Sequence, residues 1–276
     1  MAAAPSSSAL TLTAIQAALN AGEILKKGFG TSFEISSKPG RQNFVTAYDK
    51  ASEAAIINFI REHFPSHCFY AEESGRTGEF HEDKILWVID PLDGTTNFAR
   101  HIPIFTISIA AYHRGQVVSG VIFQPLTQEL FIAEKGKGAF LNGVRLRVSK
   151  TNQIEDALII AGLPYDDTSF NAINLDKFAQ MTRQGVTLRN LGSAALALAY
   201  VAAGKADAFW MYNLHYWDIA AGHLLIEEAG GLLEKRGGDS SIYSSSHVLA
   251  GNESLFRVLQ SQLFGENVQP FSMDGA

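Results

Sequence analysis

Two aspartates, Asp90 and Asp93, stand three residues apart after a short apolar run, and a turn rich in hydroxyl groups follows them. Pro91 fixes a backbone torsion and Gly94 tolerates conformations closed to other residues, so the segment predicts a tight turn that brings both carboxylates together. Two close carboxylates repel and raise each other's pKa unless a cation lies between them. The pair indicates a metal site. The alternative is an ordinary capped turn, because Asp-Pro and Asp-Gly pairs are common in turns.

Two further carboxylates stand at the ends of predicted elements. Glu72 follows the apolar segment 68–71, which predicts a short strand, and strand ends are where many open sheets place their sites. The run 85–89 before Asp90 also reads as a buried strand, although it is short enough to be a buried helix segment. Asp218 begins a predicted helix, and its position at a helix N-terminus is by itself a sufficient explanation of an aspartate.

Asp49 lies on the apolar face of a predicted helix, 46–64, so its side chain points toward packed protein. Compensation of the helix dipole is the simplest role for it. Thr95 can accept a proton from an attacking water while it passes its own proton to Asp49. The backbone amides of Gly94 and Thr95 can also bind phosphate oxygens, as amides in glycine-containing turns do.

These candidates all offer hard oxygen ligands, which favour Mg²⁺ or Mn²⁺ over zinc or copper. Magnesium typically combines carboxylates, waters and phosphate oxygens, so the set points to phosphate chemistry rather than to peptide or ester hydrolysis. Two or more ions would clamp a phosphate, generate the attacking hydroxide and stabilise the leaving alkoxide.

The composition is that of an ordinary globular protein, with 276 residues, 46% hydrophobic residues and a formal charge of −6. Because no dense Lys/Arg run occurs, we expect no nucleic-acid partner bound through a basic surface. The single cysteine, Cys68, excludes an intramolecular disulfide and is compatible with a reducing cytoplasm. The first ten residues lack the basic start of a secretory signal, and no apolar run reaches the ~20 residues of a membrane span. We therefore expect a cytoplasmic protein with no membrane partner.

The remaining pattern predicts two halves. In residues 1–150, two helices precede a series of strands joined by short turns, among them the Asn142-Gly143 hairpin signal, so we expect helices packed on an antiparallel sheet. In residues 151–276, short strands alternate with helices, which is typical of an α/β fold.

Two more segments contain site candidates. Segment 28–44, which is rich in Gly, Ser, Lys and Arg, predicts an exposed and mobile loop around Lys38, although a lysine there is more often simply solvated. Ser193 and Ala194 begin a predicted helix, 193–203, whose free amides are placed to meet a substrate. Ala-rich helices more often serve close packing.

Three motifs resemble the signature sequences of the inositol monophosphatase family: W-V-I-D-P-L-D-G-T-T-N-F at 87–98, A-E-E-S at 71–74 and W-D-I-A-A-G at 217–222. The resemblance extends from about residue 12 to residue 263 with matching order and spacing of the motifs. It implies a layered αβαβα fold, usually in a homodimer, within the lithium-sensitive, metal-dependent phosphatases. It also implies hydrolysis of phosphomonoesters by direct attack of a metal-activated water.

The resemblance implies a role for each carboxylate. Glu72, Asp90 and the carbonyl of Leu92 match a first metal site, and Asp90, Asp93 and Asp218 match a second. Glu72 also belongs to the catalytic set and borders a weaker third metal. Asp93 and Asp218 lie beside the substrate as well. The implied cofactor is two or three Mg²⁺ ions, with Mn²⁺ as a substitute.

The resemblance also implies roles outside the metal ligands. Asp49 and Thr95 match the catalytic pair that activates the attacking water. Gly94 and Thr95 match amides that contact the phosphate, Ala194 matches a substrate-side contact, and Lys38 matches a lysine of the family's mobile loop.

Met211 departs from the family pattern. Inositol phosphatases of this family commonly have a glutamate there, seven residues before the aspartate that matches Asp218, and it hydrogen-bonds a substrate hydroxyl. A thioether is not a strong acceptor, so recognition of inositol in the usual manner is in doubt. Tyr212, Asn213 or His215 are candidates to replace the glutamate. Alternatively, Met211 only packs against neighbouring aromatic residues and specificity is loose.

The leading hypothesis is therefore a magnesium-dependent phosphatase for inositol monophosphate or a related small polyol or sugar phosphate. A rival is the same chemistry on fructose-1,6-bisphosphate, histidinol phosphate or a 3′-phosphonucleotide. A rival of another class is a non-catalytic regulator that binds a phosphate ligand. Retention of both Asp49 and Thr95 argues against the regulator, because binding alone requires no water activator.

Overall fold

The computed structural model describes residues 7–32, 35–37, 44–162, 168–237 and 246–264, which form alternating layers of helices and sheets. In chain order the elements are α1 (Ser7–Gly28), β1 (Ile35–Ser37), β2 (Phe44–Thr46), α2 (Ala47–His63), β3 (Cys68–Ala71), β4 (Gly75–Thr77), β5 (Leu86–Asp93), α3 (Thr95–Ala99), β6 (Thr106–His113), β7 (Gln116–Gln124), β8 (Glu129–Glu134), β9 (Gly138–Leu141), β10 (Val144–Arg145), a 3₁₀ helix (Ile154–Asp156), β11 (Leu158–Ala161), α4 (Thr168–Arg183), β12 (Thr187–Arg189), α5 (Ala194–Ala202), β13 (Ala208–Leu214), α6 (Tyr216–Glu228), β14 (Leu232–Arg236), β15 (Ser246–Gly251) and α7 (Glu253–Phe264).

Five layers result, as the predicted αβαβα sandwich requires. Helices α1 and α2 cover one face of an eight-stranded sheet with the order β10-β9-β8-β7-β6-β5-β3-β4. Helices α5 and α6 lie between that sheet and a five-stranded sheet with the order β12-β11-β13-β15-β14. Helices α4 and α7 pack on the outer face of the five-stranded sheet. Since α5 and α6 share one core with both sheets, the division into two halves at residue 150 stays a prediction.

Strand β5 is buried on both faces, which is why its sequence is a continuous apolar run. Leu86 and Val88 face the core of α5 and α6, whereas Trp87 and Ile89 face the core of α1 and α2. Successive side chains of a strand point to opposite faces, so this alternation confirms the strand interpretation over the helical one.

The eight-stranded sheet is not wholly antiparallel, so that part of the prediction is wrong. Strands β3 and β5 are parallel neighbours, with Ala71 opposite Ile89. The connection 72–85 forms the edge strand β4 and then returns to the start of β5, so both strands run in the same direction. Because the carboxyl ends of parallel strands meet at one sheet edge, Glu72 and Asp90 lie side by side.

The sequence suggested that segment 28–44 is a loop, but part of it forms strands. Residues Ile35–Ser37 pair antiparallel with Phe44–Thr46 in a small two-stranded sheet. Lys38, the candidate in this segment, lies outside the described residues.

Among the described residues, none of the helices combines the length and the apolar character that crossing a membrane demands.

Candidate active site

The end of β5 carries the first two carboxylates. The sequence suggested that the strand stops before Asp90, but β5 continues to Asp93 with a break in its register against β6 between these two residues. Pro91 lies inside this irregular stretch, where its lack of an N–H group is tolerated. The turn was expected to begin at Pro91, but it begins at Gly94, whose φ of 98° is in the left-handed region.

Four carboxyl groups meet at this sheet edge. The backbone N–H of Glu72 donates to the carbonyl of Ile89 at 3.1 Å, which places Glu72 beside Asp90. Asp90 is only 2% exposed, and burial raises its pKa well above the usual range. The negative charges of Glu72, Asp93 and Asp218 raise the pKa of Asp90 further. The structure thus brings together four residues that the sequence placed on three separate elements.

Asp218 reaches this cluster from the first turn of α6. Its Oδ2 accepts the backbone N–H of His215 at 2.7 Å, so the residue also caps its helix as expected. Burial, followed by the charges of Asp93 and Glu72, raises the pKa of Asp218 well above its usual range. Its carboxyl group is in hydrogen-bond contact with that of Asp90. The Asp218 side chain therefore caps α6 and also belongs to the carboxylate cluster.

The donor set fits a hard divalent cation, because it consists of carboxylates whose mutual repulsion such a cation would relieve. The carbonyl of Leu92 is adjacent and accepts the Thr95 hydroxyl at 3.1 Å. Within the described ranges, however, no group of three or more His, Cys, Asp or Glu side chains forms a ready-made metal site. Several carboxylates also accept hydrogen bonds from protein groups, as Asp218 does from His215.

Asp93 is held by the start of α5. Its Oδ2 accepts the Ser193 hydroxyl and the backbone N–H of Ala195 at 2.7 Å, and its Oδ1 accepts the N–H of Ala194 at 3.3 Å. Burial raises the pKa of Asp93, and these hydrogen bonds partly oppose the rise. The helix amides that the sequence left free for a substrate therefore contact a carboxylate of the protein. The role of Ser193 in this contact was not predicted.

Ser193 makes a second contact, since its hydroxyl oxygen accepts the N–H of Leu196 as the N-cap of α5. We expect Ser193→Ala to destabilise the protein by about 1 kcal/mol, a typical cost of losing a helix cap. Ser193→Thr keeps a hydroxyl and should remain close to the parent. Urea unfolding midpoints of the three proteins measure the effect, and equal midpoints for the alanine variant and the parent would contradict it.

Asp49 and Thr95 are in contact, as the sequence reasoning required. The single proton of the Thr95 hydroxyl is shared between Asp49 Oδ1 at 3.0 Å and the carbonyl of Leu92 at 3.1 Å. Asp49 Oδ2 accepts the backbone N–H of Thr46 at 2.7 Å and its hydroxyl at 2.6 Å, which completes a capping box at the start of α2. Asp49 is fully buried, and this burial raises its pKa. The helix-terminal role and the contact with Thr95 use different oxygens of one carboxylate.

Gly94 cannot be replaced without strain. In addition to its positive φ, a Cβ at this position would lie 2.9 Å from the carbonyl oxygen of Ile104 and 3.3 Å from that of Gly192. The side-chain amide of Asn97 donates to the carbonyls of Ile104 and Leu191, each at 2.8 Å. The turn after β5 is therefore tied to the segment that precedes α5.

Met211 lies in an irregular part of β13, where the register against β15 breaks and Asn213 has a φ of 60°. Its sulfur packs on Gly162, because a Cβ there would lie 2.3 Å from the Met211 Sδ. Among the candidates to replace the missing acceptor, Tyr212 is buried, Asn213 is half-buried and His215 is exposed.

Comparison with known proteins places this geometry in a family. The model of the inositol monophosphatase family matches residues 7–267. Nus factor SuhB from Pseudomonas aeruginosa is 41% identical over 252 residues, which cover 89% of this chain and 92% of that protein. Inositol-1-monophosphatase from Mesorhizobium japonicum is 41% identical over 254 residues, which cover 91% of this chain and 95% of that protein. The crystal structure of extragenic suppressor protein suhB from Bartonella henselae superimposes with a TM-score of 0.86 at 38% identity and covers 94% of this chain and all of that one. The chain belongs to the inositol monophosphatase family.

Proposed function

We propose that the protein is a magnesium-dependent phosphomonoesterase that hydrolyses inositol monophosphate or a related small polyol or sugar phosphate. The observation that carries this proposal is the hydrogen bond from Thr95 to the buried Asp49, next to a cluster of four carboxyl groups. A phosphate-binding site alone requires no such proton acceptor, whereas hydrolysis by water does.

The chain's own residues have distinct tasks in this proposal. The residues that would hold two or three Mg²⁺ ions are Glu72, Asp90, Asp93, Asp218 and the carbonyl of Leu92. When bound, such ions supply positive charge for the phosphate and lower the pKa of water. Thr95 accepts a proton from the attacking water and passes its own to Asp49, whose burial favours the protonated form. The amides of Gly94 and Thr95 hold phosphate oxygens.

Phosphate release tests the proposal directly. The substrates are inositol monophosphate, fructose-1,6-bisphosphate, histidinol phosphate and a 3′-phosphonucleotide, each with Mg²⁺ and with EDTA. Release that depends on Mg²⁺ from at least one of them is the expected result. The rate ratios among the four then identify the preferred substrate. No release from any of them would contradict the proposed activity.

Met211 decides how well inositol fits. We expect Met211→Glu to lower the KM for inositol monophosphate by about tenfold or more, since a hydrogen bond to a charged acceptor contributes roughly 1.5–3 kcal/mol. Met211→Leu is the matched control, because it changes the side chain without adding an acceptor. Steady-state kinetics of both variants measure the effect. An unchanged KM in the glutamate variant would show that the missing acceptor does not limit recognition.

A second candidate function is a regulatory protein that binds a phosphate ligand without turnover. It is supported by the name of the Pseudomonas aeruginosa relative, Nus factor SuhB. Tight binding of inositol monophosphate without any phosphate release would favour this candidate. A homodimer, a cytoplasmic location, lithium sensitivity and the lack of a nucleic-acid partner stay predictions, and sedimentation, cell fractionation, inhibition by Li⁺ and nucleic-acid binding assays address them in turn.

A further inference from the structure

Glu53 is a buried acid of α2 that the proposed chemistry does not use. Its side chain is 4% exposed. Each oxygen of its carboxylate accepts one backbone N–H: Oε2 from Glu73 at 2.8 Å and Oε1 from Ser74 at 2.9 Å. A carboxylate that accepts two amides is a strong, geometrically specific hydrogen-bond partner. The two amides belong to the residues that directly follow Glu72.

The turn that Glu53 binds is short and lies at the edge of the sheet. Strand β3 ends at Ala71 and pairs with Gly75 of β4, so only residues 72–74 form the turn. Ser74 is exposed and β4 is an edge strand, which leaves one side of the turn without sheet neighbours. The bonds to Glu53 therefore restrain the backbone that carries Glu72 from the side of α2.

The same helix contacts the other strand end. The Ser52 hydroxyl donates to the carbonyl of Pro91 at 2.8 Å, and Asp49 accepts the hydroxyl of Thr95. Three neighbouring side chains of α2 thus bond to both segments that carry the clustered carboxylates. A rigid helix that contacts both strand ends fixes the spacing between them.

We propose that Glu53 is a positioning residue for metal binding, which orients Glu72 by holding the two backbone amides that follow it. The inference rests on the proposed function, because it assumes that Glu72 binds a metal ion. Glu53 does not touch the reacting atoms in this proposal. It acts through the backbone, as residues that hydrogen-bond to ligand-bearing groups commonly do.

Glu53→Gln tests the proposal, because an amide side chain turns one acceptor into a donor that faces a backbone N–H. Glu62→Gln is the matched control: it is the same substitution on the same helix at an exposed position. Binding of Mn²⁺, followed by the electron paramagnetic resonance signal of the free ion, gives the affinity without any assay of turnover. We expect ~10–100-fold weaker Mn²⁺ binding in Glu53→Gln, the usual range for groups that orient metal ligands, and parental binding in Glu62→Gln.

If Glu53 has a purely structural role, Glu53→Gln changes thermal stability and leaves the Mn²⁺ affinity unchanged. That result would overturn the inference. The kinetic readout separates the roles further, since saturating Mg²⁺ should restore kcat in Glu53→Gln and only the metal concentration for half-maximal rate should rise. Absence of Mn²⁺ binding to the parent protein would overturn the proposed function and this inference together. Binding to the parent with equal affinity in Glu53→Gln would overturn the inference alone.

A measurement on the unaltered protein decides the case if Glu53→Gln does not fold. Coupling between two events is reciprocal, so a contact that favours metal binding must itself be favoured when metal is bound. We expect saturating Mg²⁺ to slow hydrogen exchange of the Glu73 and Ser74 amides by ~10-fold or more, in line with the affinity effect. Unchanged exchange at both amides, with Mg²⁺ bound, would contradict the proposal.

Discussion

Asp90→Asn is expected to abolish phosphate release while it raises the thermal stability of the protein in the absence of added metal. The two effects have one origin. Asp90 is buried among Glu72, Asp93 and Asp218, and this environment raises its pKa well above the usual range. An ionised Asp90 therefore costs folding free energy near neutral pH, and the neutral asparagine of nearly equal shape avoids that cost.

The expected magnitudes follow from separate arguments. Weakened metal binding removes several kcal/mol of transition-state stabilisation, so kcat/KM should fall by about 10³-fold or more. A gain of about 1 kcal/mol in stability corresponds to a rise in Tm of roughly 2–4 °C for a chain of this size class. Phosphate release with Mg²⁺ and calorimetry with EDTA measure the two effects.

The stability gain also has a defined pH dependence. Because the pKa of Asp90 is higher in the folded protein than in the unfolded chain, its favourable contribution is complete below the unfolded value of about 3.9 and is lost as the pH rises through the folded value. The advantage of asparagine should therefore be absent in acid and grow with pH. Asp156→Asn is the control, since Asp156 is exposed. Full activity in Asp90→Asn would refute the metal assignment.

Thr95→Ala is expected to lower kcat by about 10²–10⁴-fold, the range that general acid–base catalysis contributes. The reason is that alanine interrupts the hydrogen bond of 3.0 Å through which Thr95 passes a proton to Asp49. Thr95 supplies no carboxylate ligand, so Mn²⁺ affinity should remain near that of the parent. The loss is therefore expected in turnover and not in metal binding.

Thr95→Ser is the matched control for this prediction, because it keeps the hydroxyl and loses only a methyl group. Single-turnover phosphate release at saturating Mg²⁺ compares the three proteins. Equal rates for the alanine variant and the parent would remove Thr95 from the proton path. An equally slow serine variant would indicate that packing of the methyl group, and not the hydroxyl, limits the rate.

Local sequence patterns were sufficient to predict the features that depend on a single helix or strand. The apolar run before Asp90 predicted a strand followed by carboxylates, and the structure places Glu72 directly after β3 and Asp90 beside it in the last part of β5. The apolar face of α2 predicted an inward Asp49, which is fully buried. These inferences succeeded because side-chain periodicity alone determines which face of an element is covered.

Contacts between distant segments were not predictable in the same way. Asp93 and Ser193 are separated by 100 residues, and their contact depends on how α5 packs between the two sheets. The position of Asp218 beside Asp90 has the same origin. Ser193 and Asp218 each fit the sequence pattern of a helix cap, and that pattern is the same whether or not a distant carboxylate lies next to the cap. The spacing of residues in the sequence therefore does not reveal the contacts with Asp93 and Asp90.

Because β3 and β5 are paired in parallel, the spacing of the carboxylates at their ends does not depend on the length of the surface segment that connects the two strands. The distance between Glu72 and Asp90 is set by hydrogen bonds between the two strands and by the contacts of α2 with both strand ends, and not by the length of residues 78–85. Residues 81–83 of that connection are exposed. A few residues inserted at 81–83 should therefore leave both carboxylates in their places.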